Sequence, residues 1–287
     1  MPFGAHMSIS GGVAKAFARG EHATCETIQI FSKNQRNWQG KRYSDEEIAD
    51  YKAEQQRSGI HPVVVHDSYL INMASPKDDL WERSMAAFRD ELERCDRLDI
   101  PYVVMHPGAH TGSGEAAGLQ RQAEALNRIF ERDEHQGVTV LLETTAGQGS
   151  VLGWHFDHLA RLLELVTHDE RLGICVDTCH MFVAGYDIRT PETYAETFTA
   201  LDQAVGLERI KVFHLNDTVN DLGSRVDRHT HIGQGCIGTE AFRLLVNDSR
   251  FADIPMIIET PKGDDMAEDR ENLALLRSLR APADGAA

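Results

Sequence analysis

The stretch PVVVHDSYLINMASPKDDLWERSMAAFRDELERCDRLDIPYVVMH, residues 62–106, contains one complete structural unit and sets the reading of the rest. It opens on the short apolar run Pro62 to His66 and closes on a second, Tyr102 to His106. Between them, Leu80 to Arg97 places Leu80, Trp81, Met85, Phe88 and Leu92 on one side of a helix. Neither run alternates polar with apolar residues, so both read as strands covered on two faces. Two such strands joined by a helix make a parallel β-α-β unit.

The same alternation continues in both directions. Further strands are expected at Phe3 to His6, Thr27 to Phe31, Val138 to Glu143, Leu172 to Asp177, Ile210 to His214 and Pro255 to Glu259. The eight strand ends fall 25, 35, 40, 37, 34, 37 and 45 residues apart, room for a crossover helix each time. Asp45 to Arg57, Gly118 to Arg132, Phe156 to Val166 and Glu192 to Val205 have the required amphipathic pattern. Ser44 with Glu47 reads as a capping box, and Thr190-Pro191 as an N-cap followed by proline at the first helical position. Eight β-then-α units predict a single-domain α/β protein, a closed (β/α)₈ TIM barrel over residues 1–280, with its active site at the C-terminal ends of the strands. An open doubly wound sheet would favour a G-x-G-x-x-G turn after the first strand, and Ser10-Gly11-Gly12 does not match it. The tail Ala281 to Ala287 is expected to be disordered.

Composition agrees with a globular chain: 41% hydrophobic and 26% charged residues over 287 positions. No apolar run reaches the roughly 18 residues of a membrane span, and Met1 to Ser10 lacks the features of a signal peptide. Five cysteines without a C-x-x-C pair suggest reduced thiols, so a soluble cytoplasmic protein with no membrane partner is expected. The net charge of −16 excludes a nucleic-acid partner held by an overall basic surface. An anionic substrate would have to be attracted locally, by cations that the acidic residues themselves hold.

From the third strand onward every expected strand ends on a potential metal ligand: His66, His106, Glu143, Asp177, His214 and Glu259. His, Asp and Glu make up 59 of 287 residues, so chance would supply one at about one strand end in five. Three more candidates lie in loops: His180 in Asp177-Thr178-Cys179-His180, and Asp227 and His229 in Asp227-Arg228-His229. Taken alone, the last would read as a solvated turn. Five imidazoles with four carboxylates suit Zn²⁺, with Mn²⁺ or Fe²⁺ as alternatives, better than Mg²⁺ or Ca²⁺. Three divalent cations against four carboxylates would leave the site at about +2, and paired metals that share a hydroxide can clamp a phosphodiester.

These motifs resemble the endonuclease IV family of apurinic/apyrimidinic (AP) endonucleases, in the xylose-isomerase-like barrel superfamily. The resemblance runs from Gly4-Ala5-His6 to about Glu259-Thr260. It is carried by Phe31-Ser32-Lys33-Asn34-Gln35-Arg36, His66-Asp67-Ser68-Tyr69-Leu70-Ile71-Asn72, His106-Pro107-Gly108, Glu143-Thr144-Thr145-Ala146-Gly147-Gln148-Gly149, Asp177-Thr178-Cys179-His180, His214-Leu215-Asn216-Asp217 and Asp227-Arg228-His229. It implies three zinc ions per chain: one held by His66, His106 and Glu143, a second by Glu143 as a bridge with Asp177, His214 and Glu259, and a third by His180, Asp227 and His229. Glu143, Asp177 and Glu259 would be the catalytic carboxylates. The implied reaction is hydrolysis of the phosphodiester 5′ to an abasic site in double-stranded DNA by a metal-bound hydroxide, giving a 3′-hydroxyl and a 5′-deoxyribose phosphate. The enzyme would act as a monomer in base excision repair. Cys175 and Cys179 fall outside this ligand set and are expected to be buried packing residues.

The family also bends DNA and turns the abasic nucleotide out of the stack. Lys33, Arg36, Lys41 and Arg42 make the loop after the second strand locally basic, and Tyr69 with Leu70 places apolar bulk just beyond His66. Lys33, Arg36, Tyr69 and Leu70 are therefore the expected DNA contacts. Gly147-Gln148-Gly149 and Gly233-Gln234-Gly235 are weaker candidates for amide contacts to phosphate. Two rival functions remain at this level. A sugar isomerase or epimerase on the same barrel would need neither the D-R-H loop nor the basic loop, and a non-catalytic damage-binding module would not need nine ligands.

Overall fold

Eight short parallel strands close on one another because each is apolar on both faces and none can be left at an open edge. The computed structural model describes residues 1–132, 135 and 137–281, so the expected disordered tail lies, from residue 282 on, outside the described residues. Strands β1 (Phe3–His6), β2 (Thr27–Phe31), β3 (Val63–His66), β4 (Tyr102–Met105), β5 (Thr139–Glu143), β6 (Leu172–Asp177) and β7 (Ile210–His214) follow one another round the barrel. A two-residue ribbon comes next, β8 (Asp217–Thr218) antiparallel to β9 (His229–Thr230), and β10 (Met256–Ile258) then closes the barrel between β7 and β1. The closing register pairs Phe3 with Met256 and Ala5 with Ile258. At Gly4 a Cβ would run into the Thr27 carbonyl, so only glycine allows β1 to lie this close to β2.

The helices are α1 (Lys15–His22), α2 (Asp45–Ser58), α3 (Asp78–Arg97), α4 (Glu115–Phe130), α5 (Phe156–Leu165), α6 (Thr178–Ala184), α7 (Pro191–Val205), α8 (Thr239–Val246) and α9 (Ala267–Ser278). The Ser44 and Glu47 capping box is formed at α2, and Thr190 caps α7 with Pro191 at its first turn. Three expected strands, from Pro62, Val138 and Pro255, begin one residue later, and two end one residue earlier. His106 and Glu259 each lie one residue beyond their strands rather than within them. Among the described residues no helix is long and apolar enough to cross a membrane.

The core has two parts. A large cluster, including Val63, Val65, Val103, Val140 and Leu142, packs the outside of the barrel against the helices. A separate layer fills the barrel: Val64, Val104, Leu141, Cys175, Val212 and Ile257, one from each of six adjacent strands. Side chains alternate along a strand, so the residue two positions after each of these also points inward. Those residues are His66, His106, Glu143, Asp177, His214 and Glu259. The barrel interior therefore supplies an apolar floor and, one layer higher, six polar side chains converging over it.

Candidate metal centre

The converging side chains and the loops above them form three groups of imidazoles and carboxylates whose ligand-type atoms lie within 4.8 Å of one another: His66, His106 and Glu143; Glu143, Asp177, His214 and Glu259; and His180, Asp227 and His229. Two further groups put Cys175 with Glu143 and His214, and Cys179 with Asp177 and His229. Glu143 is shared by the first two groups. Its Oε2 lies 3.2 Å from His66 Nε2 and 3.1 Å from His106 Nε2, and its Oε1 lies 2.9 Å from His214 Nδ1. In the third group Asp227 is 3.2 Å from His180 Nε2 and 3.3 Å from His229 Nε2. The β8–β9 ribbon turns the D-R-H segment back over the barrel, so it is not the solvated turn that it would be in isolation.

Four of the five imidazoles are tied down from behind. The Nδ1 of His66 donates to the Asp67 carbonyl at 2.9 Å, that of His180 to the Thr144 carbonyl at 2.9 Å, and that of His229 to the Glu259 carbonyl at 3.4 Å. His214 uses the other nitrogen, its Nε2 donating to the Gln29 side-chain oxygen at 2.7 Å. The remaining nitrogen of each ring faces carboxylate oxygen, and two acceptor-only atoms in contact repel unless a proton or a metal cation lies between them. His229 Nε2 is the clearest case: it is buried and has no hydrogen-bond partner.

Acidity reflects the same demand for positive charge. Burial alone would depress His66, but Glu143 outweighs it and pushes the imidazole up to about 10. His229 also rises to about 10, with Asp177, Cys179 and Glu259 together outweighing burial. His180 and His214 stand well above the ordinary histidine value despite equally deep burial. Conversely, burial would raise Glu143 and Glu259, yet His214 and His106 hold Glu143, and His214 holds Glu259, well below the usual carboxylate range.

Residues around the groups fix their geometry. Asp177 caps α6, accepting from the His180 amide at 2.8 Å, and its other oxygen accepts from Asn216 Nδ2 at 2.7 Å. Asn216 Oδ1 in turn accepts the Glu259 amide at 2.8 Å. Gln29, which sequence reasoning passed over, donates to Glu259 Oε1 at 2.6 Å. A glutamine within an apolar strand was its only signal. Cys175 and Cys179 are both fully buried close to the ligand groups. Burial pushes the Cys175 thiol up to about 12, so it stays protonated and a poor ligand near neutral pH.

The expected DNA contacts divide. Arg36 is exposed, Tyr69 is 63% exposed and Leu70 is half-buried. The Tyr69 ring stands over the first group, 5.5 Å from His66 and 6.1 Å from His106 between ring centres. Lys33 is a correction. Its ammonium is buried, bound to Glu91 and 3.7 Å from Asp90 on α3, so its charge is neutralised within the protein instead of being offered to a phosphate. Ser32 donates to the same Glu91, and Ser68 donates to the Gln35 carbonyl at 2.6 Å. The loop after β2 is thus anchored by its first residues and presents its later ones. Lys41 and Arg42 are exposed and lie 3.7 and 3.3 Å from Glu47 and Glu93. Gly235 packs against Asp217, which accepts amides from Gly235 and Ile237 at 3.0 Å each, so this loop is shaped by an internal carboxylate.

Fold and site together define a closed (β/α)₈ barrel with a cluster of imidazoles and carboxylates set over the C-terminal ends of its strands. Residues 17–279 match the family of xylose isomerase-like TIM barrels. A protein of Chloroflexus aggregans named probable endonuclease 4 is 68% identical over 277 residues, 96% of this chain and 97% of that one. The crystal structure of endonuclease IV from Thermus thermophilus is 38% identical and aligns with a TM-score of 0.84, covering 97% of this chain and 98% of that one. A D-tagatose 3-epimerase-like protein has the same fold at a TM-score of 0.72 and 22% identity, with 97% and 98% covered. The chain belongs to the endonuclease IV family of xylose isomerase-like barrels.

Proposed function

We propose that this protein is a DNA-repair endonuclease that cleaves the phosphodiester 5′ to an abasic site, leaving a 3′-hydroxyl and a 5′-deoxyribose phosphate. The observation that carries the reading is the set of three ligand groups over the barrel mouth, with the exposed Tyr69 ring beside the first of them. The donor chemistry fits zinc. Imidazoles tethered from behind turn a free nitrogen toward carboxylate oxygen, and the buried His229 Nε2, which has no hydrogen-bond partner, is a donor atom that a cation would satisfy. His66, His106 and Glu143 would hold one ion, Glu143, Asp177, His214 and Glu259 a second, and His180, Asp227 and His229 a third. Ions held there would supply positive charge to a scissile phosphate and would acidify water enough for attack near neutral pH.

The chain's own residues do the rest. Glu143 spans two groups and fixes their spacing, while the carboxylates offset part of the local positive charge. Arg36, Tyr69 and Leu70 reach beyond the site, where they can press on the duplex and fill the gap left by an everted nucleotide. One chain supplies all nine ligands, which supports action as a monomer, and reduced thiols fit the cytoplasm.

A duplex carrying a single tetrahydrofuran abasic analogue tests the reading. Nicking on its 5′ side, with an end that a polymerase extends, together with about three zinc ions per chain by elemental analysis, is expected. Binding without nicking would indicate a damage-binding module, and turnover of ketohexoses with no effect on the duplex would indicate an epimerase. One or two metals at full activity would overturn the trinuclear arrangement.

A further inference from the structure

Gln29 sits on β2, fully buried, paired in register with Val64 of β3 and His6 of β1. An amide at that level of a barrel interior carries a desolvation cost that a valine would not. Its three contacts show what offsets that cost. Nε2 lies 2.6 Å from Glu259 Oε1 and 3.0 Å from His6 Nδ1, and Oε1 lies 2.7 Å from His214 Nε2.

Which end of the amide is nitrogen follows from chemistry. An ionised carboxylate only accepts hydrogen bonds, so the amide must turn its NH₂ toward Glu259. Its second N–H then meets His6 Nδ1, which accepts, and its oxygen is left facing His214 Nε2. An oxygen accepts, so His214 Nε2 must carry hydrogen. The lone pair of a neutral His214 is thereby confined to Nδ1, the nitrogen 2.9 Å from Glu143 and 3.4 Å from Glu259. A single side chain from the opposite part of the sequence selects the ring nitrogen and aims the carboxylate within one ligand group.

We propose that Gln29 is a positioning residue for cation binding: it sets the tautomer of His214 and the orientation of Glu259, and so controls how firmly their shared ion is held. This rests on the zinc reading of the preceding subsection. Among the described residues the Gln29 side chain hydrogen-bonds to His6, Glu259 and His214 and to no member of the groups containing His106 and Asp227, so the effect is expected at one ion of the three.

Gln29→Met, close in size and without polar atoms at the amide, removes all three hydrogen bonds. Gln29→Asn keeps an amide but is one methylene too short to span Glu259 and His214. The measurement is the time course of zinc transfer from the loaded protein to a chromogenic chelator, with stoichiometry by elemental analysis and cleavage kinetics on an abasic duplex. In the variants one zinc per chain should leave about 10- to 100-fold faster than in the wild type while the others keep their rates. With zinc in excess, kcat should fall and KM for the duplex stay close to the wild-type value. Zinc release unchanged in a folded variant overturns the proposal, and so does equal acceleration of all ions, which is the signature of general loosening. If Gln29→Met does not fold, Gln29→Asn is judged by the same criterion, and its failure to fold as well would make Gln29 a core-packing residue and overturn the proposal. A wild-type protein that holds no zinc would refute the zinc reading itself, an outcome distinct from either.

Discussion

Glu259 follows the last barrel strand by one residue and is held from several directions. Gln29 donates to one of its oxygens, His214 Nδ1 lies 3.4 Å from the other, and Asn216 fixes its backbone amide. His214 keeps it ionised despite burial. Glu259→Gln preserves this shape and removes the charge. We expect duplex binding to persist while single-turnover nicking falls by at least about 10³-fold, because the altered charge falls where the transition state must be balanced. Nicking near the wild-type rate would remove Glu259 from the site. Residues of this kind were legible in the sequence because charged and imidazole side chains at the end of an apolar run have few other reasons to be there. Gln29 and Asn216 were not. Each is an uncharged polar residue whose partner lies far along the chain, 230 positions in the case of Gln29 and Glu259, and no local pattern encodes that pairing. Lys33 misled for the opposite reason: a lysine in a basic stretch reads as exposed, and nothing nearby announces that Glu91 of α3 will take it inside.

At the scale of elements, the expected strands and the five long helical stretches lie within a few residues of those found, since each has enough periods for its pattern to register. α1 and α8 have eight residues each and α6 only seven, about two turns, too short for periodicity to stand out. The β8–β9 ribbon is two residues a side and reads in the sequence as a turn. The loops after β2 and β3 act as a pair. Buried Lys33 and Glu91 anchor the first, Ser68 ties the second to it, and the Phe31 and Tyr69 rings meet 5.7 Å apart between them. Arg36 projects from this anchored base, and Tyr69, in contact with Phe31 on one side, leaves most of its surface exposed beyond it. Arg36→Ala combined with Tyr69→Ala should therefore lower kcat/KM on an abasic duplex by roughly 10² while hydrolysis of a small phosphodiester stays near wild type. Opening a base stack costs a few kcal/mol that a small substrate never incurs, and each 1.4 kcal/mol is about tenfold in rate. Equal losses on both substrates would assign these side chains to the support of the site, and a loss on neither would mean that the loops do not reach DNA.

Four carboxylates, Glu143, Asp177, Asp227 and Glu259, gather with five imidazoles over one end of the barrel, and this makes the stability of the molecule depend on what fills the site. In metal-stripped protein, protons must substitute for cations. Glu143 and Glu259 are held below their ordinary value of 4.5, so their contribution is present above that pH and is lost as pH falls through their lowered folded values. His66 and His229 are raised from 6.5 to about 10, so theirs is fully present below 6.5 and is lost as pH climbs toward 10. The stripped protein should accordingly be most stable between about pH 4.5 and 6.5, with Tm declining steadily on the alkaline side. If the site takes zinc as proposed, that trend should reverse, because the ion would bind imidazoles that have given up their protons, and its apparent affinity would rise with pH as those protons leave more readily. Thermal melts across pH 5.5 to 9.5, with and without chelator, should show the gap between loaded and stripped Tm widening as pH rises. A gap that stays constant would mean that the buried imidazoles do not exchange protons for metal, and that the carboxylates over the barrel mouth are neutralised in some other way.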